Sequence, residues 1–98
     1  MASYLLFEVK VSNPVAYEHY KSLAQIAIAQ YAGRYLVRGG AIEVLEGTWT
    51  KPERLVLIEF ASSEQAKACY ESPEYRAARA ARQDAAVANV LLLEGLAL

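Results

Sequence analysis

Tyr4-Leu5-Leu6-Phe7-Glu8-Val9-Lys10-Val11 alternates with the period of two that a β-strand requires, and its two faces decide how the rest of the chain is read. Leu5, Phe7, Val9 and Val11 fall on one face, while Tyr4, Leu6, Glu8 and Lys10 fall on the other. Arg54 to Ala61 is the clearest strand of the chain and repeats the pattern. Val56, Ile58 and Phe60 lie on one side; Leu55, Leu57 and Glu59 lie on the other. Each strand has one wholly apolar face and a second face that is still half apolar.

The segments between these strands carry helix signals. Asn13 can cap a helix whose first position is Pro14, where the missing amide hydrogen costs nothing. That helix is expected to run to about Tyr31 and to end at Gly33 as its C-terminal cap. Ser62-Ser63-Glu64-Gln65 resembles a capping box, with Ser62 as cap and Gln65 reaching back, and predicts a short helix to about Glu71. Ser72-Pro73 restarts a helix over Glu74 to about Ala85, and Val87 to Glu94 is a final strand.

Arg34 to Glu46 reads as extended. Unbroken, it would span roughly 43 Å, longer than a usual strand. Gly39-Gly40 therefore marks a bulge or sharp bend, with a tight hairpin as the alternative. Gly47 to Glu53, with Trp49 and Pro52, is a connecting loop. The order β-α-β-β-α-β is the ferredoxin-like arrangement, an α+β sandwich in a single domain over residues 1–98. Its first and third strands should be central, with the helices on one face.

That arrangement predicts a partner. The face carrying Leu5, Phe7, Val9, Val56, Ile58 and Phe60 should lie under the helices. The opposite face still carries Tyr4, Leu6, Leu36, Leu55, Leu57, Leu91 and Leu93, where a monomer's sheet should be polar. Each large apolar side chain left in water forgoes about 1.5–3 kcal/mol. Sheet-on-sheet packing with a second copy removes that cost, so a homodimer is expected. Glu8, Arg38 and Glu59 fall on the same face by alternation. They form either an ion-pair network, Arg38 with Glu8 or Glu59, or the lining of a polar cavity.

Composition excludes several classes of partner. Net charge is −1 with no long run of either sign, so nothing recruits nucleic acid by charge. No apolar run approaches the roughly 18 residues a membrane span needs. Cys69 is the only cysteine and the start of the chain lacks a secretory pattern, which together suggest a cytoplasmic protein. There is no phosphate loop, no paired-cysteine motif, no pair of histidines at ligand spacing and no nucleophile elbow, so neither a metal nor a nucleotide cofactor is expected.

The chemistry-bearing residues are few. His19 is the only histidine; as a general base it needs a carboxylate and a cavity, and otherwise it is a rim residue. Cys69 reads as a packed, inert thiol. The seven tyrosines and Trp49 are either core and interface edges or an aromatic pocket for a planar ligand. Arg76, Arg79 and Arg82 form a basic stripe that is either solvated or able to grip a carboxylate.

Four segments carry a family resemblance. They are Arg34-Tyr35-Leu36-Val37-Arg38-Gly39-Gly40, Glu43-Val44-Leu45-Glu46-Gly47 with Trp49, Leu57-Ile58-Glu59-Phe60, and Tyr70 with Ser72-Pro73-Glu74-Tyr75. Together they make the chain resemble the bacterial family catalogued as domain of unknown function 1330, in the dimeric α+β barrel superfamily. The resemblance implies a ferredoxin-like subunit in a dimeric barrel and supplies no activity. The wider superfamily includes cofactor-free monooxygenases, muconolactone isomerases, haem-dependent chlorite dismutases and stress-related proteins, and chemistry does not transfer by fold. A haem would have to rest on His19.

The expectation is a homodimeric barrel binding a small organic molecule in a cleft between sheet and helices. Arg38, Trp49 and Tyr75 are the expected ligand-lining residues. Glu8, Glu59 or His19 would be the base if the protein is an oxygenase or isomerase needing no cofactor. The alternative is a dimerisation or stress-associated module without chemistry. A pocket above about 300 Å³ that gathers these polar groups would separate the two.

Overall fold

The computed structural model describes residues 1–97. Apart from the second strand, each strand and helix forms close to where the local pattern places it. Alternation builds β1 (Ser3–Val11), β3 (Arg54–Phe60) and β4 (Ala86–Glu94). The antiparallel sheet has the order β2-β3-β1-β4, with β2 (Arg34–Arg38) and β4 at its edges. Leu5 stands between Ile58 and Leu92, and Phe7 between Val56 and Val90, so the wholly apolar faces coincide across strands. Helices α1 (Pro14–Gln30), α2 (Ser63–Tyr70) and α3 (Pro73–Arg82) cover that side. Leu5, Phe7, Val9, Val56, Ile58 and Phe60 are buried beneath them.

Side-chain caps start all three helices. Asn13 accepts from the amide of Ala16, Ser62 from Gln65 and Ser72 from Tyr75. Two expectations about the ends need correction. Gln65 does not reach back to Ser62; its Nε2 donates to the carbonyl of Tyr31, 2.9 Å away, and so ties α2 to the end of α1. The left-handed residue after α1 is Ala32 (φ 59°) rather than Gly33. Gly33 is required for a different reason, because a Cβ there would lie 2.7 Å from Ile28 and 2.8 Å from the Phe60 ring.

The larger difference lies in β2. The strand ends at Arg38, and residues 39–53 form no helix or strand. A bulge occurs earlier than the glycines: Tyr35 pairs with Ile58 but Val37 pairs with Leu57, leaving Leu36 as the extra residue. One extra residue reverses the alternation, so Arg38 pairs with Val56 on the helix side. Arg38 therefore does not meet Glu8 or Glu59. Arg34 takes that place, with its Nη2 2.9 Å from Oε1 of Glu59.

On the outer face the residues stand in rows across the strands. Val37, Leu57, Leu6 and Leu91 make an apolar central row. On one side of it, Glu59 accepts from Arg34 and from the hydroxyl of Tyr4 at 3.3 Å. On the other, Glu8 accepts from Asn89 at 3.2 Å. Leu91 is 57% exposed and Leu36, Val37 and Leu93 are also open to solvent.

Candidate functional site

The helix-side cleft between α1 and the sheet is built by two periodicities meeting. Spacings of three and four residues turn Tyr17, Tyr20, Lys21, Ala24 and Ile28 of α1 towards the sheet. Alternation turns Phe7, Val9, Val56 and Ile58 up to meet them, and the bulge in β2 adds Arg38 beside Tyr35. Arg54 completes the mouth, because it shares the parity of Val56 and pairs with Val9. These residues enclose a cavity of ≈ 20 Å³, room for about one water molecule. Lys21, Arg38 and Arg54 also border an outer basin of ≈ 350 Å³, together with Glu18, Ser22 and Gln25.

The cleft is short of negative charge. Lys21 pairs with Glu18 at 3.0 Å. Arg38 donates to the side-chain oxygen of Gln25 at 3.1 Å, and its guanidinium lies 4.6 Å from the Tyr35 ring centre. Arg54 lies 5.5 Å from the Tyr17 ring centre, and its Nε is buried without a hydrogen-bond partner. Among the described residues neither Arg38 nor Arg54 forms an ion pair. Gly39 (φ 73°) makes room for Arg54, since a side chain there would collide with the guanidinium.

The floor of the cleft is phenolic. The Tyr20 and Tyr75 oxygens share a hydrogen bond of 2.6 Å, and Arg82 donates to the Tyr20 oxygen at 3.3 Å. Burial raises the Tyr20 pKa above the ordinary tyrosine value, partly offset by the Tyr75 hydrogen bond and Arg82. Burial likewise pushes the Tyr35 phenol up to about 12, against the opposing charge of Arg38. Tyr75 is raised as well, first by burial and then by the neighbouring Tyr20. All three shifts keep these phenols protonated near neutral pH.

The residues singled out from sequence do not gather at one site, although Glu8 and Trp49 share a hollow on the outer face. Arg38 stands at the cleft. Tyr75 is 1% exposed and lies behind Tyr20 in the core. His19 is exposed and borders neither the cavity nor the basin. Glu8 and Glu59 point to the outer face, in separate rows. Trp49, 67% exposed, borders an outer-face hollow of ≈ 280 Å³ with Leu6, Glu8, Leu55, Asn89 and Leu91.

Of the tyrosines read as a possible aromatic pocket, Tyr17, Tyr20 and Tyr35 do line one cavity. Arg54, Lys21 and Gln25 were not legible as site residues without the fold. A signal for Arg54 existed: a charged residue in register with the apolar face of Val56, Ile58 and Phe60 needs a special environment. Lys21 carried a weaker one, four residues beyond Tyr17 on the same stripe.

Among the described residues, no group of three or more His, Cys, Asp or Glu side chains is close enough to hold a metal ion. Among the described residues no helix is long and apolar enough to cross a membrane. Cys69 is buried, and its thiol is pushed up to about 11, chiefly by burial and also by Glu74.

The fold is similar to several solved structures. A protein of unknown function from Rhodopseudomonas palustris aligns with a TM-score of 0.74 at 19% identity, over 99% of this chain and 84% of that one. SnoaB, a cofactor-independent oxygenase from Streptomyces nogalater, aligns with a TM-score of 0.70 at 10% identity, over 99% and 95%. A dimeric protein of unknown function and ferredoxin-like fold from Bacteroides fragilis aligns at 0.63 and 14% identity, over 96% of each chain. At such identities the likeness is one of fold. No curated protein matches the chain by sequence. The family model described as "Domain of unknown function (DUF1330)" matches residues 2–96, and the chain belongs to that family.

Proposed function

We propose that this protein is a homodimer that binds a small organic molecule in the cleft between α1 and the sheet. The observation that carries the ligand is the pair of guanidinium groups, Arg38 and Arg54, without carboxylate partners at the mouth of a tyrosine-lined cavity. The dimer is supported by the exposed apolar row of the outer face, in a fold that a Bacteroides fragilis protein described as dimeric also adopts. The chemistry we assign is oxygenation or isomerisation of a planar, acidic molecule without a cofactor. The fold likeness to SnoaB, described as a cofactor-independent oxygenase, supports it. The reducing cytoplasm is the compartment that suits a lone, buried, protonated Cys69.

A second reading, a dimerisation or interaction module without chemistry, is favoured by one observation. The enclosed cavity holds only ≈ 20 Å³, far below the usual size of a ligand pocket, about 300 Å³ or more. A ligand would have to lie in the basin above it, against Arg38 and Arg54. Native mass spectrometry of the protein purified from its own host tests both parts. A dimer retaining an organic molecule is expected; a dimer with none moves the case to the interaction module, and a monomer overturns the assembly.

A further inference from the structure

The bases nominated from sequence all lie away from this cleft. Glu8 and Glu59 project from the opposite face of the sheet, bonded to Asn89 and to Arg34 with Tyr4. His19 sits on an exposed flank of α1. Glu18, the one carboxylate bordering the basin, is paired with Lys21. The cations outnumber it: Lys21, Arg38 and Arg54 at the mouth, with Arg82 behind Tyr20.

We propose that the cleft takes its ligand as a preformed planar organic oxyanion, gripped by Arg38 and Arg54, and that no side chain of the cleft serves as its base. This deepens the proposed function and rests on it. A guanidinium with a buried, unpartnered Nε gains most from an acceptor that brings its own negative charge. The rings of Tyr35 and Tyr17 lie against the two guanidinium groups and hold them in place, so that a ligand meets two flat cationic forks, which suit a planar oxyanion. Any reaction there then begins from a molecule acidic enough to ionise unaided, and the protein contributes stabilisation of the anion.

The probe is para-nitrophenol, whose anion is coloured and whose phenol is not. It is titrated into the protein across the pH range in which it ionises, with para-nitroanisole as the shape-matched molecule that cannot ionise. The phenolate is expected to bind about tenfold or more tightly than the phenol, so that bound probe turns coloured at a pH where free probe does not. Arg54→Gln and Arg38→Gln should each remove most of that preference. Arg38 is exposed, so its variant keeps the test open if Arg54→Gln fails to fold. Equal binding of phenol and phenolate, or binding of para-nitroanisole as tightly, overturns the anion proposal and leaves the binding cleft standing. No binding of either molecule at millimolar concentration overturns the cleft itself.

Discussion

Tyr35 shows how one side chain couples the cleft to stability. Its ring lies under Arg38 and its phenol is pushed up to about 12, chiefly by burial. A phenol with a raised folded-state pKa is neutral in both states below the unfolded value of 10.0. As pH rises from there towards about 12, the unfolded chain ionises first and the fold loses stability. Tyr20 and Tyr75 act in the same direction. Tyr35→Phe is therefore expected to soften the alkaline fall in melting temperature while leaving the neutral-pH value nearly unchanged. A variant whose alkaline profile superimposes on wild type would remove this account.

At the scale of elements, a single serine joins two helices. Ser72 is buried; its hydroxyl donates to the carbonyl of Cys69 at 2.7 Å and accepts from the amide of Tyr75 at 3.0 Å. It thus closes α2 and opens α3 with one oxygen. Ser72→Ala should leave the Tyr75 amide without its partner, while the Cys69 carbonyl keeps the backbone amide of residue 72 at 3.1 Å, and should cost about 0.5–2 kcal/mol. The urea midpoint should fall with its slope unchanged; a loss below a few tenths of a kcal/mol would show that water replaces the hydroxyl.

The serine and proline that divide α2 from α3 were plain in the sequence, as were the caps at Asn13 and Ser62, because capping is decided within four residues. The bulge at Leu36 was not. Arg34 to Arg38 reads Arg-Tyr-Leu-Val-Arg, three apolar residues in a row with none marked as extra, and only pairing against β3 reveals which one it is. That single residue moved Arg38 from the outer face to the cleft.

For the whole molecule, the outer face is the feature with the largest energetic consequence. Leu91 ends the apolar row and is exposed in the single chain, so a charge there should not disturb the subunit's own core. If the outer faces pair as proposed, Leu91→Lys is expected to shift sedimentation towards monomer while keeping the far-ultraviolet spectrum, since burying an unpaired ammonium between two sheets costs several kcal/mol. A variant that sediments as the same dimer would place the interface elsewhere.

The sequence by itself determined the element order, the helix caps, the apolar face beneath the helices and the surplus apolar character of the other face. The faces are written in short-range periodicity, which follows from backbone geometry, and the caps in single residues that act within one turn. Only the tertiary structure decided which charged groups share a space. It brought Arg38 and Arg54 from the facing ends of a 15-residue connection, residues 39–53, to the side chains of α1, and it sent Glu8, His19 and Glu59 elsewhere. The physical reason is that a site depends on strand register and helix rotation together. One residue of slip exchanges the two faces of a sheet, and no local pattern in β2 records that slip.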